Sequence, residues 1–333
     1  MKHIRNILAA GACAAAVAMY STTGLFAQEL RLAHFSPPTH FLHTDVFEPF
    51  AKAVNDETNG SLTMRIFPAG ELGAGPAEQL NRALNGIADI ALVLPGYNTS
   101  QFPMTLVSEL PGASPDPVIG TERLWESADL LAAEYSKVKM LALWVTDAAI
   151  LMMRDAPVNS LADLKGKKIR VPSANAAEVV EAWGAAPVFM PSVDLYNSLQ
   201  TGVIDGMIGS GTLVTNYRLD EVLQYYVLGV PPTFTSMNLA MNQARWDSLS
   251  DDQQEVLARL GRDLVSKEAT RIYSEEAEKA IERLRAAPNE TVIDLSDEAR
   301  ADFAKAAEPV LASILKRLDD AGYKASQLAE QLK

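Results

Sequence analysis

Residues 168–211 read KIRVPSANAAEVVEAWGAAPVFMPSVDLYNSLQTGVIDGMIGSG, and their patterning decides the fold. Lys168–Val171 predicts a short strand, Asn175–Trp183 a helix and Pro187–Met190 a second strand. Val193–Thr201 predicts another helix, closed by Gly202, because glycine most readily takes the left-handed conformation that ends a helix. Ile204–Ile208 is then a third strand. Strand, helix, strand, helix, strand is the start of a parallel sheet, since parallel neighbours need a crossover and the helices supply it.

The same order stands about a hundred residues earlier. Glu29–Phe35 alternates as a strand, and Phe35-Ser36-Pro37-Pro38-Thr39-His40 is a loop because paired prolines cannot sit in an inner strand. Phe47, Phe50, Ala51 and Val54 recur at helical spacing up to Gly60; Ser61–Phe67 is a strand. Pro76–Asn85 is a helix stopped by Gly86, before the strand Ile90–Leu94. The junctions Leu84-Asn85-Gly86-Ile87-Ala88-Asp89 and Gln200-Thr201-Gly202-Val203-Ile204-Asp205 match, although any helix ending in a left-handed glycine looks this way. Two such units support two similar lobes. Strands at Lys139–Thr146, Ala149–Arg154 and Thr235–Met241 mark where the chain crosses between them. After the N-cap Ser250, a helical pattern from Gln253 to about Arg285 is long enough to span or brace both lobes. A strand near Val292 and two helices, Asp297–Ala306 and Val310–Ala321, are expected to finish the chain.

Composition narrows the function. The 333 residues carry 29 Lys+Arg against 42 Asp+Glu, a formal charge of −13, with 48% apolar and 21% charged residues. Such a chain buries a real core. With no basic run beyond Lys165, Lys167, Lys168 and Arg170, it is not expected to bind nucleic acid or an anionic membrane. Lys2 and Arg5 precede an uncharged run from Ile7 to Ala27, and Leu25-Phe26-Ala27 suits cleavage. Residues 1–27 therefore read as a secretory signal, which marks the mature protein as exported. The competing membrane anchor is disfavoured by the polar run Tyr20-Ser21-Thr22-Thr23-Gly24. Loss of Lys2 and Arg5 takes the charge from −13 to −15. The single cysteine, Cys13, lies in that signal, so disulfides, thiolate–zinc sites and a cysteine nucleophile are excluded.

Catalytic patterns are missing. His40 and His43 stand three apart with Asp45 and Glu48 following, but this is not a known zinc pattern, and no metal or cofactor is expected. Gly209-Ser210-Gly211 falls short of Gly-x-Ser-x-Gly, because residues 208 and 212 are Ile208 and Thr212. Gly70–Gly75 lacks the Gly-Lys-Ser/Thr of a phosphate loop. The informative residue is Arg170, at the carboxyl end of a short strand, where ligands bind in open α/β sheets. Its planar fork of donors matches a carboxylate, so one arginine can hold an organic acid bidentately. A surface ion pair with Glu178 or Asp163 is the alternative, and spacing alone does not separate the two.

Ser160-Leu161-Ala162-Asp163-Leu164-Lys165-Gly166-Lys167-Lys168-Ile169-Arg170-Val171-Pro172, then Gly184-Ala185-Ala186-Pro187 and Tyr196–Gly206, resemble the substrate-binding proteins of TRAP transporters. So do Phe67-Pro68-Ala69-Gly70-Glu71-Leu72-Gly73, Gly86-Ile87-Ala88-Asp89, and Asn242 before Trp246. The resemblance implies a two-lobed periplasmic-binding-protein fold of type II-like α/β class, with crossing strands and a bracing helix. Lobe I would comprise 28–147 plus 236–275, and lobe II 148–235 plus 276–333. It implies a receptor, not an enzyme, that captures an organic acid between its lobes and delivers it to small and large membrane subunits. The family's carboxylate-binding arginine falls on Arg170. Monomer is the expected state.

Departures from the family pattern shape the ligand expectation. Gly209 stands where sugar-acid binders often carry Asn, Ile150 where they carry a second cleft arginine, and Ser210-Gly211 where an aromatic or polar residue is common. A pocket with fewer polar anchors and more room suits a monocarboxylate with an apolar or aromatic body. Phe35, His40 and Tyr97 from the first lobe, and Ser173, Ser192, Ser210 and Phe234 from the second lobe and crossings, are the candidates to line it; packing or loop capping is their alternative. A receptor serving a sensor, or a hydrolase or isomerase using His40 or His43, are the competing functions.

Overall fold

The computed structural model describes residues 27–333; Cys13 and all but the last residue of the expected signal lie outside the described residues. Eleven strands form among the described residues: β1 (Gln28–Ala33), β2 (Leu62–Phe67), β3 (Ile90–Val93), β4 (Val138–Val145), β5 (Ile150–Met153), β6 (Lys168–Val171), β7 (Ala186–Phe189), β8 (Gly206–Gly209), β9 (Tyr225–Leu228), β10 (Ser236–Asn242) and β11 (Thr291–Asp294). They divide into two sheets, ordered β2-β1-β3-β10-β4 and β11-β9-β5-β8-β6-β7.

The two expected units are both present and wound alike. β1 pairs in parallel with β2 and β3, and β6 in parallel with β7 and β8. Each sheet then accepts one antiparallel strand beside its third strand: β10 next to β3, and β5 next to β8. Those two strands come from beyond a crossing, so each lobe is completed by chain that has just left the other. The crossings are 146–149 and 229–235, and they hydrogen-bond to one another. Thr146 N donates to Thr235 O at 3.0 Å, and Ala149 N to Thr233 O at 2.8 Å.

Helical structure runs without a gap from Asp251 to Ala286, with a π-helical turn at Gly261–Ser266. A Cβ on Gly261 would lie 2.1 Å from Leu141 O, so only glycine lets the helix approach β4 this closely. Ala269, Ile272 and Tyr273 pack into the first lobe's core and Leu284 into the second's, so this helix braces both.

The C-terminal region differs from expectation in two ways. Asp297–Asp320 is one helix, not two, because Pro309 is tolerated inside it. Both Pro309 and Lys305, whose carbonyl loses its donor, are exposed, so water can satisfy the freed group. The helix starts on the second lobe, where Trp183 Nε1 donates to Phe303 O at 3.1 Å, and Ile314 reaches the first lobe's core. A further helix, Ala325–Leu332, buries Leu328 and Leu332 among Val107, Leu124 and Leu131 of the first lobe. The assignment of all of 276–333 to lobe II therefore fails for the C-terminal helix, whose apolar stripe found its complement on the other lobe.

Candidate functional site

The carboxyl ends of the parallel strands of both sheets meet at the crossings. There the lobes close over a cavity with about 460 Å³ of atom-free space, counting the part open at its mouth. Phe35, Ser36, His40, Tyr97, Arg170, Ser192, Gly209, Ser210, Tyr217, Thr235, Met237 and Tyr273 are among its lining residues.

Arg170 is 2% exposed and has no acidic partner within salt-bridge distance among the described residues, so the ion-pair alternative with Glu178 or Asp163 does not hold. Glu178 pairs with Arg317, and Asp163 caps the turn after Ser160. The guanidinium Nε donates to Met190 O at 2.9 Å and Nη2 to Tyr97 Oη at 3.4 Å. Three of its five N–H donors remain free, including both on Nη1. Burial pulls its pKa below the ordinary arginine value. The strand places it: Ile169 and Val171 turn into the core beneath the sheet, and the alternate residue faces the cleft. Gly209 completes the setting, since a Cβ there would stand 3.6 Å from Nη1 and 3.0 Å from Leu213 Cδ1.

Tyr97 joins the lobes. Its hydroxyl accepts from Arg170 Nη2 and from Ser192 N at 2.9 Å, leaving its own proton for a ligand. Ser192 Oγ donates to Tyr217 Oη at 3.1 Å, and burial pushes the Tyr217 hydroxyl up to about 12. Phe35 and Tyr97 stand 6.2 Å apart, and Phe189 packs edge-on to Tyr97 at 6.0 Å. The lobes touch closely here, for a Cβ on Gly96 would lie 2.6 Å from Pro172 O.

Ser210 lines the cavity with its hydroxyl committed. It donates to Asp147 Oδ1, while Gly211 N donates to Oδ2 at 3.0 Å. Asp147 thus clasps the first crossing to the second lobe, and burial pushes its carboxyl up to about 7.

Of the nine residues singled out by sequence, Arg170, Phe35, His40, Tyr97, Ser192, Gly209 and Ser210 line one cavity. Ser173 does not; it is buried as the N-cap of helix Ala174–Ala182, accepting from Ala176 N. Phe234 does not either. Alternation along the extended chain turns Thr235 and Met237 to the cavity and Phe234 into the first lobe's core. Ile150 also lies off the cavity, beside Gly211 in a neighbouring groove. His40, His43, Asp45 and Glu48 do not converge, since His43 bonds His34 at 2.9 Å and Glu48 at 3.4 Å while His40 turns to the cavity. Sequence reasoning missed Ser36, Tyr217 and Tyr273. Tyr217 precedes Arg218, a non-glycine residue at φ 55°, and no sequence pattern announces that bend.

Two α/β lobes joined by crossings and closed over a cavity are the architecture of a solute-binding protein. The family model for bacterial extracellular solute-binding proteins, family 7, matches residues 32–318, and the chain belongs to that family. It is similar to a solute-binding protein of Albidiferax ferrireducens, 27% identical over 76% of this chain and 77% of that protein. It is also similar to the 2,3-diketo-L-gulonate-binding periplasmic protein of Escherichia coli, 26% identical over 86% of this chain and 88% of that one. Among solved structures, a marine-metagenome TRAP solute-binding protein described as specific for aromatic acids, in complex with 3-hydroxybenzoate, superposes with a TM-score of 0.86 at 26% identity, covering 92% of this chain and 97% of that one. Each of these proteins is named for binding a solute.

Proposed function

We propose that this protein is a periplasmic receptor that captures an organic monocarboxylate with an aromatic or apolar body and delivers it to the membrane subunits of a TRAP transporter. The carrying observation is Arg170: a buried cation lining the cavity, with no counter-ion among the described residues. A buried charge of this kind is stable only when paired, and a ligand carboxylate is the missing partner. Arg170 is the one formal cation among the lining residues, which favours one carboxylate over two. The walls of Phe35, Leu94, Tyr97, Met237 and Tyr273 suit an apolar body. The aromatic-acid receptor of similar fold supports the same ligand class.

The anchor lies on the second lobe and most of the apolar wall on the first, so only the closed form contacts the ligand from both sides, and binding selects closure. The mature receptor is expected to work as a monomer, since one chain completes the cavity. Thermal-shift and calorimetric titration with aliphatic, aromatic, dicarboxylic and neutral compounds test this reading. Binding confined to monocarboxylates, and lost in Arg170→Met, is the expected result. Binding of a neutral compound but of no acid sinks it.

A further inference from the structure

The lobes also meet outside the cavity. The first turn of helix Ala174–Ala182, on the second lobe, is set against the first lobe. Asn175 there is 7% exposed, and its Nδ2 donates to Leu106 O at 3.1 Å. Neither Asn175 nor Leu106 lines the cavity. The backbones come close at this seam, since a Cβ on Gly96 would lie 2.9 Å from Ser173 Cβ.

The acceptor is held in place by its own lobe. Leu106 belongs to the turn Thr105–Glu109, and its side chain is fully buried in the first lobe's core. The buried Glu134 carboxylate grips the start of that turn, accepting from Met104 N, from Thr105 N at 3.0 Å and from Thr105 Oγ1 at 2.7 Å. Leu106 N donates to Phe102 O at 3.1 Å. A carbonyl fixed in this way needs little further ordering to take up its donor.

We infer that Asn175 is a positioning residue that latches the closed receptor without touching the ligand, its bond to Leu106 O forming on closure and breaking on opening. The inference rests on the reading of this chain as a receptor that closes over an organic acid. A latch of this kind favours the closed state whatever the cavity holds, so every ligand gains by the same factor.

Asn175→Ala and Asn175→Asp, titrated with benzoate and phenylacetate at about pH 8, test it; the new carboxylate is ionised there. Asn175 is the second residue of its helix, where alanine suits the helix and a carboxylate suits its dipole, so neither change should lower the melting temperature of the ligand-free protein. Alanine removes the donor, whereas aspartate turns an acceptor toward Leu106 O. Affinity should fall about three- to tenfold in Asn175→Ala and roughly 10- to 100-fold in Asn175→Asp, with the ratio between the two acids kept within about twofold of the wild type. Stopped-flow kinetics should place the loss in the off-rate, because the latch forms after encounter. A merely structural role in the helix would reverse the order, with aspartate binding at least as well as alanine.

If the wild type binds the acids and loses them in Arg170→Met, but Asn175→Asp binds within about twofold of the wild type or changes the ratio between the acids, the latch is refuted and the carboxylate reading stands. If neither acid binds the wild type, the carboxylate reading falls and the latch with it.

Discussion

Replacing Arg170 by methionine should weaken ligand binding and favour closure of the empty receptor at the same time. The guanidinium is 2% exposed, its two hydrogen bonds go to neutral oxygens, and no carboxylate compensates it. Burying an unpaired ion costs several kcal/mol even after relaxation, and that cost opposes closing the lobes over an empty cavity. A ligand carboxylate removes the penalty and adds charge-assisted hydrogen bonds. Methionine keeps much of the length and apolar stem while removing the charge. Losing one side of a buried, hydrogen-bonded charge pair costs about 2–5 kcal/mol, which weakens affinity roughly 30- to 5,000-fold. Relieving even about 2 kcal/mol of the closure penalty raises the closed-to-open ratio of the empty receptor roughly 30-fold. Calorimetry measures the first effect and small-angle scattering the second. A variant that binds acids within threefold of the wild type refutes the anchor. Ligand-free scattering showing the variant more open than the wild type refutes the argument about closure.

Gly96→Ala places a methyl group against Pro172 O across the cleft, so affinity should fall by about 1–3 kcal/mol while the melting temperature of the ligand-free, open protein barely changes; unaltered affinity in a titration would count against closure at this contact. Tyr97→Phe strips Ser192 N and Arg170 Nη2 of a shared acceptor, and calorimetry should show a loss of about 1–3 kcal/mol in binding. Burial pushes Glu109, Glu134 and Asp147 up to about 6, 7 and 7, so folding favours their protonated forms. That contribution is complete below about pH 4 and is lost as pH rises through 6 to 7. The buried His34 and His40, pulled down to about 3, act oppositely, losing stability as pH falls below about 6.5. Melting scans should therefore show the advantage of Asp147→Asn over the wild type growing from about pH 4 to about pH 7 and levelling off above that; a difference constant across that range would show that Asp147 does not titrate there.

The doubled unit was legible because its determinants are local. Glycines 86 and 202 end helices through left-handed backbone at φ 66° and 74°, and the apolar runs after them become β3 and β8. The direction of Arg170 was legible because a residue between the apolar Ile169 and Val171 turns to the opposite face of the strand, while its partner was not, since spacing alone left an ion pair open. Phe234 was misplaced for want of a register, since an extended segment shows its two faces but not which one meets the ligand. Tyr217 and Tyr273 carry no local mark at all, and their roles come from elements packed across the crossings.

Sequence by itself determined the two parallel units, the long brace and the lack of a thiol beyond Cys13. These follow from periodicity, backbone preference and side-chain chemistry within about twenty residues of chain. Tertiary structure alone decided that β10 and β5 complete opposite sheets, that Pro309 stays inside one helix, and that the C-terminal helix returns to the first lobe. It also decided that His40, Tyr97 and Tyr273 line one cavity with Arg170 and Tyr217 of the other lobe. Those outcomes depend on which distant apolar surfaces and unpaired polar groups find one another, and no local rule contains that information.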